Sequence, residues 1–179
     1  MTTPPPPVST AVSSGTVDAT LRRSASRVPT RTALTFTDRT WTYAELDAAV
    51  DRIATLLLDR GLEPGARVAA YGVNSDAYLI AFLATSRAGL THVPVNYALT
   101  GGELEYLLSD SGASLVLVDP AQAATLDAVI GNLPGLTSIA LQPADGETAA
   151  DTVLGAALGT GAVTPVHSPA SGSDLAQLL

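Results

Sequence analysis

The chain has 179 residues, 46% of them hydrophobic, enough for one core of ordinary size, and a formal net charge of −8. Its nine cations are all arginines, standing singly or in one pair. That argues against a nucleic-acid surface or an anionic-membrane patch and leaves small molecules or proteins as partners. With no cysteine, disulfides, thiolate metal sites and a thiol nucleophile are excluded.

Residues 1–16 are rich in Pro, Ser and Thr, with no basic start and no apolar run, so they are not a secretion signal and are expected to be a disordered tail. Apolar residues at helical spacing (Val17, Leu21, Ala25, Val28) predict a helix over 17–27, ended by Pro29. Ala33-Leu34-Thr35-Phe36 and Arg39-Thr40-Trp41-Thr42 are β-prone runs about a Thr37-Asp38 turn, which suggests a hairpin. Thr42 with Glu45 three residues on is a capping-box signature, and Leu46, Ala49, Val50, Ile53, Leu56 and Leu57 repeat at helical spacing up to Gly61.

A buried strand is expected over 67–71. Asn74-Ser75-Asp76 can cap a helix running to Ala88 that is apolar almost all round, which places it between layers. Residues 90–95 read as the next strand. Thr100 and Glu103 suggest a second capping box opening a helix to Ser109. Leu115-Val116-Leu117-Val118 reads as a fully apolar strand closed by Asp119-Pro120. A helix over 121–130, a weak strand over 137–141 and, inside a loop-rich stretch from Pro143, a weak helix over 152–158 complete the pattern. Helices alternating with strands imply an α/β fold, a partial doubly wound and mostly parallel sheet with flanking helices. The longest apolar stretch, near residues 78–84, is far short of the ~20 residues a membrane span needs, and a cytoplasmic protein is expected.

Two segments carry a resemblance. Thr40-Trp41-Thr42-Tyr43-Ala44-Glu45-Leu46, followed by Ser86-Arg87-Ala88-Gly89-Leu90-Thr91-His92-Val93-Pro94-Val95-Asn96, resembles the front part of an AMP-forming acyl-CoA synthetase of the adenylate-forming (AMP-binding) superfamily. The order and spacing of elements over residues 17–119 agree with it. The resemblance implies three segments: a tail (1–16), the N-terminal part of an AMP-binding domain (17–142) and a loop-rich stretch (143–179) leading to a phosphate loop the chain does not contain. It also implies a parent activity in which a carboxylate attacks the α-phosphate of ATP and CoA thiol then displaces AMP. The family uses a Ser/Thr/Gly-rich loop with Mg²⁺, an acidic residue on the ribose and a lysine from a mobile lid; this chain has no lysine. No catalytic residue is therefore assigned, and ATP, CoA and Mg²⁺ are expected only of the longer enzyme.

Pro94-Val95-Asn96 and the Leu99-Thr100-Gly101-Gly102-Glu103 continuation look more like fatty-acyl than amino-acid-activating members, which usually carry an Asp near Asn96. Asn96 and Tyr97, at the carboxyl end of a presumed parallel strand, are the binding candidates for the CoA or acyl side. The family's acetyl-CoA synthetases have Phe-Gly-Gly there, so a loop that merely turns the chain is the competing reading. His92 and His167 have no partner at ligand spacing, and no metal site is expected. Ser14-Gly15-Thr16, Gly159-Thr160-Gly161 and Ser171-Gly172-Ser173 only superficially resemble phosphate loops, since none joins a buried strand to a helix with a lysine. An amino-acid-activating domain, a truncated remnant, a small interaction module and a homo-oligomer remain open.

Overall fold

The structure, a computed structural model, describes residues 15–144 and 151–178. The capping box at the start of the second helix forms as its spacing predicts. Glu45 N–H donates to Thr42 Oγ1 at 3.2 Å, and Thr42 N–H donates to Glu45 Oε2 at 2.8 Å. With its first turn satisfied, α2 (Tyr43–Leu58) buries the stripe Leu46, Val50, Ile53 and Leu57. It is entered from an antiparallel hairpin, β1 (Thr32–Phe36) and β2 (Arg39–Thr42), whose turn places Thr37 at φ 52, a region that β-branched residues seldom adopt.

Ahead of the hairpin lies α1 (Val17–Arg27); Thr16 caps it, accepting from Ala19 N–H at 3.1 Å. Thr16, expected in a tail over 1–16, thus belongs to the cap of α1, and residues 1–14 lie outside the described residues. After α2 the chain alternates β3 (Arg67–Tyr71), α3 (Asp76–Arg87), β4 (Thr91–Val95), α4 (Gly101–Asp110), β5 (Ala113–Val118), α5 (Pro120–Ile130) and β6 (Thr137–Ala140). A short α6 (Val153–Ala157), capped by Thr152, follows.

Among the described residues these strands make a parallel sheet of order β4-β3-β5-β6. Period-two alternation divides its side chains between two cores. Val68, Leu115, Leu117 and Ile139 face α1, α2, α3 and α6, while Ala69, Tyr71, Val93, Val116 and Val118 face α4 and α5. A sheet buried on both faces explains the unbroken apolar run in β5.

One expectation is corrected. Thr100 caps α4 through no side-chain hydrogen bond. Gly101 enters the helix at φ 50, which redirects the backbone between Thr100 and Glu103, so the spacing of a capping box is present without its geometry. Residues 115–118 form the centre of the sheet, paired to β3 on one side and β6 on the other. The edges are β4 and β6.

Buried charge ties distant segments to this frame. Arg87, fully buried at the end of α3, donates to Asp18 Oδ1 at 2.6 Å and to the Asp47 carbonyl at 2.8 Å, pairs with the Asp47 carboxylate, and lies 3.0 Å from Asp51 Oδ1. Arg22 pairs with Asp18 and Asp51 and donates to the Val166 carbonyl; Val166 N–H returns a bond to Asp51 at 2.9 Å. Separately, Asp76 at the start of α3 accepts from Arg39 Nε at 2.6 Å, Arg39 Nη2 at 2.9 Å and Trp41 Nε1 at 3.1 Å, which fastens the hairpin to α3. Just beyond α3, Gly89 takes φ 72, where a residue with a Cβ is strained, and its carbonyl accepts from Gly65 N–H.

Two outcomes follow from this packing. Ile53→Ala should lower stability by roughly 2–5 kcal/mol in denaturant melts, since Ile53 is wholly buried in the larger core. Burial pushes the Asp76 carboxyl up, but the hydrogen bonds from Arg39 and Trp41 and the Arg39 charge outweigh it and hold the group below the ordinary aspartate value. Its contribution is therefore complete above the unfolded value of about 4 and is lost as pH falls through the lower folded value. Melts taken from pH 6 downward should show that loss below about pH 4, and Asp76→Asn should flatten it while lowering stability at neutral pH.

Candidate functional site

Parallel strands bring their carboxyl ends to one edge of the sheet, and β3 and β5, adjacent there, hand the chain to helices on opposite faces. Such a crevice is where open α/β sheets bind ligands. In this chain it is filled from within. Asp119, 4% exposed, caps α5 by accepting from Ala121 N–H at 3.3 Å and accepts from Gln142 Nε2 at the same distance. A Cβ on Gly72 would stand 2.7 Å from the Asp119 Cβ, so glycine at 72 is what lets this cap close over the strand ends.

Asn96 and Tyr97 follow β4 at that same end, next to one another in sequence and space. Asn96 Oδ1 accepts from Ala98 N–H at 3.0 Å and its carbonyl accepts from Leu99 N–H at 3.0 Å, so the asparagine builds its own turn. The turn is held from below by Tyr71, whose hydroxyl donates to the Leu99 carbonyl at 2.6 Å. Tyr97 is left 57% exposed on the turn. Besides Asp119 and the Arg39–Asp76 ion pair, this end holds the neutral Asn74, Asn96, Tyr97 and Gln142. These groups do not fit a triphosphate or its magnesium. No group of three or more metal-ligating side chains occurs among the described residues.

A feature the sequence did not single out lies beside β4. A cavity of about 550 Å³ opens between β1, α3 and β4, walled by Leu34, Phe36, Tyr78, Phe82, Pro94 and Gln177 with His92 at its floor. Tyr78 and Phe82 meet the His92 ring edge-on, with centroids 5.8 and 5.1 Å away. His92 is 2% exposed, and its Nδ1 has no hydrogen-bond partner. Burial lowers its pKa to about 4, so the ring is neutral at neutral pH. The sequence placed His92 in a strand beside Val93; what it could not show is that α3 turns two aromatic rings onto it.

A mixed sheet-and-helix unit of this kind, with its loops gathered at one end of a parallel sheet, defines a doubly wound α/β domain, and comparison with known proteins narrows the class. The AMP-binding enzyme family model matches residues 21–179, and the chain belongs to that family. It is 40% identical over 126 residues to a feruloyl-CoA synthase of an Amycolatopsis species, covering 70% of this chain and 26% of that protein. Surfactin synthase subunit 1 of Bacillus subtilis (strain 168) is 36% identical over 102 residues, 57% of this chain and 3% of that protein. Among solved structures, a Mycobacterium tuberculosis fatty acyl CoA synthetase superposes with a TM-score of 0.77 at 27% identity, over 90% of this chain and 32% of that one. ATP-bound MatB from Rhodopseudomonas palustris gives 0.74 at 32% identity, over 90% and 31%. The chain thus spans about a quarter of the length of the feruloyl-CoA synthase and under a third of each of these two structures.

His92 yields an outcome with a definite sign. Its folded pKa, near 4, lies below the ordinary 6.5, so between those values the unfolded chain binds a proton that the folded chain refuses. Its contribution is complete above about pH 6.5 and should fall by on the order of 3 kcal/mol on acidification to pH 4. His92→Leu should remove that slope from pH-dependent melts, and the His92 imidazole resonances of the native chain should stay those of a neutral ring down to pH 5.

Proposed function

We propose that this chain is the N-terminal portion of an AMP-forming acyl-CoA synthetase, a scaffold that supports carboxylate activation and is inactive by itself. The observation that carries the reading is the family match over residues 21–179 together with superposition on fatty acyl CoA synthetase and MatB structures over nine-tenths of the chain. The chemistry of the site agrees with it, because the strand-end crevice is closed by Asp119 and Gly72 and offers no cation for a phosphate. Residues 17–142 form the AMP-binding part and 143–179 the approach to the phosphate loop. Tyr97, exposed beside the self-capped Asn96, is the contact we place on the CoA or acyl side, and carboxylate, ATP, Mg²⁺ and CoA are substrates and cofactors of the longer enzyme.

A second reading, a fragment of an amino-acid-activating domain, is favoured by identities of 36–38% to surfactin and plipastatin synthase subunits. The 40% identity to feruloyl-CoA synthase, over the longer stretch of 126 residues, favours the first.

The purified chain should show no ATP–pyrophosphate exchange with any carboxylate. Joined at Leu179 to the remaining length of the feruloyl-CoA synthase, it should recover exchange with an aryl carboxylate. Exchange by the chain alone, or a folded but inactive fusion, would overturn the assignment.

A further inference from the structure

Residues 159–174 form neither helix nor strand, yet groups from three helices and the turn after them hold this stretch in place. At its start Arg52 of α2 donates to the Ala157 carbonyl at 3.1 Å and to the Gly161 carbonyl at 3.4 Å. Midway, Arg22 and Asp51 take the backbone of Val166 between them, the guanidinium on its carbonyl and the carboxylate on its N–H at 2.9 Å. Ser168 Oγ then donates to the Ser86 carbonyl at 3.4 Å, and Pro169 lies so close over Gly89 that a Cβ there would stand 2.5 Å from the proline Cγ. A turn closed by Ser171 N–H on Asp174 Oδ2 at 2.6 Å brings the chain to β4. There Thr91 Oγ1 donates to the Leu175 carbonyl at 3.1 Å, His92 N–H to the Ala176 carbonyl at 3.0 Å, and Leu178 N–H to the His92 carbonyl at 2.9 Å.

We propose that Arg22 and Asp51 are positioning residues for ATP binding in the longer synthetase: they act through this strap, which sets the register of residues 175–178 on β4. The inference rests on the reading of residues 143–179 as the approach to the phosphate loop. Two backbone bonds around one residue of β4 do not fix a register by themselves. A slip by one residue would exchange the faces taken by Gln177, which lines the cavity over His92, and Leu178, which lines the space beside α4. The anchors decide between those registers. They shorten the unfastened run from 157–175 to 169–175, which favours the paired state roughly fivefold through the entropy of closing the loop. The middle anchor is the strong one, because both of its bonds are made by charged groups. Asp51 also faces Arg87, so the strap is referred to the same carboxylate that sets α2 against α3. A connection that merely turned the chain would need none of these charged contacts.

Amide exchange on the chain itself tests the coupling. Arg22→Gln should speed exchange at His92, Val166 and Leu178 at least tenfold while leaving Val116, in the centre of the sheet, unchanged. Arg52→Gln, which touches the strap and not the Arg87 network, should act in the same direction and more weakly. In the covalent fusion to the remaining length of the feruloyl-CoA synthase, Arg22→Gln should raise the KM for ATP at least fivefold and keep kcat and the carboxylate KM within twofold. Arg22→Lys, which keeps the charge and a donor, should recover at least half of that change. Leu126→Ala, which loosens the core on the other face of the sheet, should move stability and not the ATP KM. Exchange at His92 and Leu178 that neither arginine variant alters, or that rises equally at Val116, would overturn the strap, as would an ATP KM moved no further than by Leu126→Ala. The two readings fail separately: an inactive wild-type fusion removes the synthetase reading and the ATP role with it, whereas an active fusion with unperturbed exchange removes the strap alone.

Discussion

Arg87 is the group on which the arrangement of this chain depends. A guanidinium with no solvent exposure carries a large desolvation cost, which only close, well-oriented anions repay. Its partners come from two helices, Asp18 of α1 and Asp47 and Asp51 of α2, while Arg87 itself closes α3. Three helices are therefore fixed on one face of the sheet by one side chain. Asp51 then passes the constraint to Val166, so the loop-rich stretch after α6 is held by the same network. Replacing one carboxylate leaves buried charge unmatched, which costs far more than removing an exposed pair.

The same economy governs the hairpin. Its turn carries Thr37 at positive φ, and two strands of four or five residues are marginal by themselves. Asp76 supplies what the hairpin lacks: one buried carboxylate receives Arg39 and Trp41 and also donates order to α3 by accepting from Ala77 N–H at 3.0 Å. Leu34 and Phe36 are thereby held against α3 and become a wall of the cavity beside β4.

What was legible in the sequence was what local periodicity and capping encode. The stripe Leu46–Val50–Ile53–Leu57 and the Thr42/Glu45 box predicted α2 closely, and the apolar run of β5 announced a strand covered on both faces. Thr100 shows the limit of that approach, since a glycine at the first helical position alters the direction a spacing rule takes for granted. Strand order was not legible, because alternation of helix and strand states that a sheet is parallel and not which strand lies at its edge; the order β4-β3-β5-β6 comes from the structure alone. The ion network was invisible for a related reason. Arg22, Arg87, Asp18 and Asp51 look like isolated surface charges when read singly, and only folding brings residues 69 positions apart into contact. Of the candidate site, the position of Asn96 and Tyr97 at a strand end was legible; that Asn96 spends its side chain on its own turn was not.

That separation in sequence also sets an order of events while the chain is being made. Asp18 leaves the ribosome 69 residues ahead of Arg87, and Asp51 leaves 115 residues ahead of Val166. At elongation rates of roughly 5–20 residues per second, α1 waits about 3–14 seconds for its anchor, and Asp51 waits about 6–23 seconds for its last partner. During that interval Arg22 is the cation of the network already in place for Asp18 and Asp51. The network therefore stays open until α3 brings Arg87 to close it.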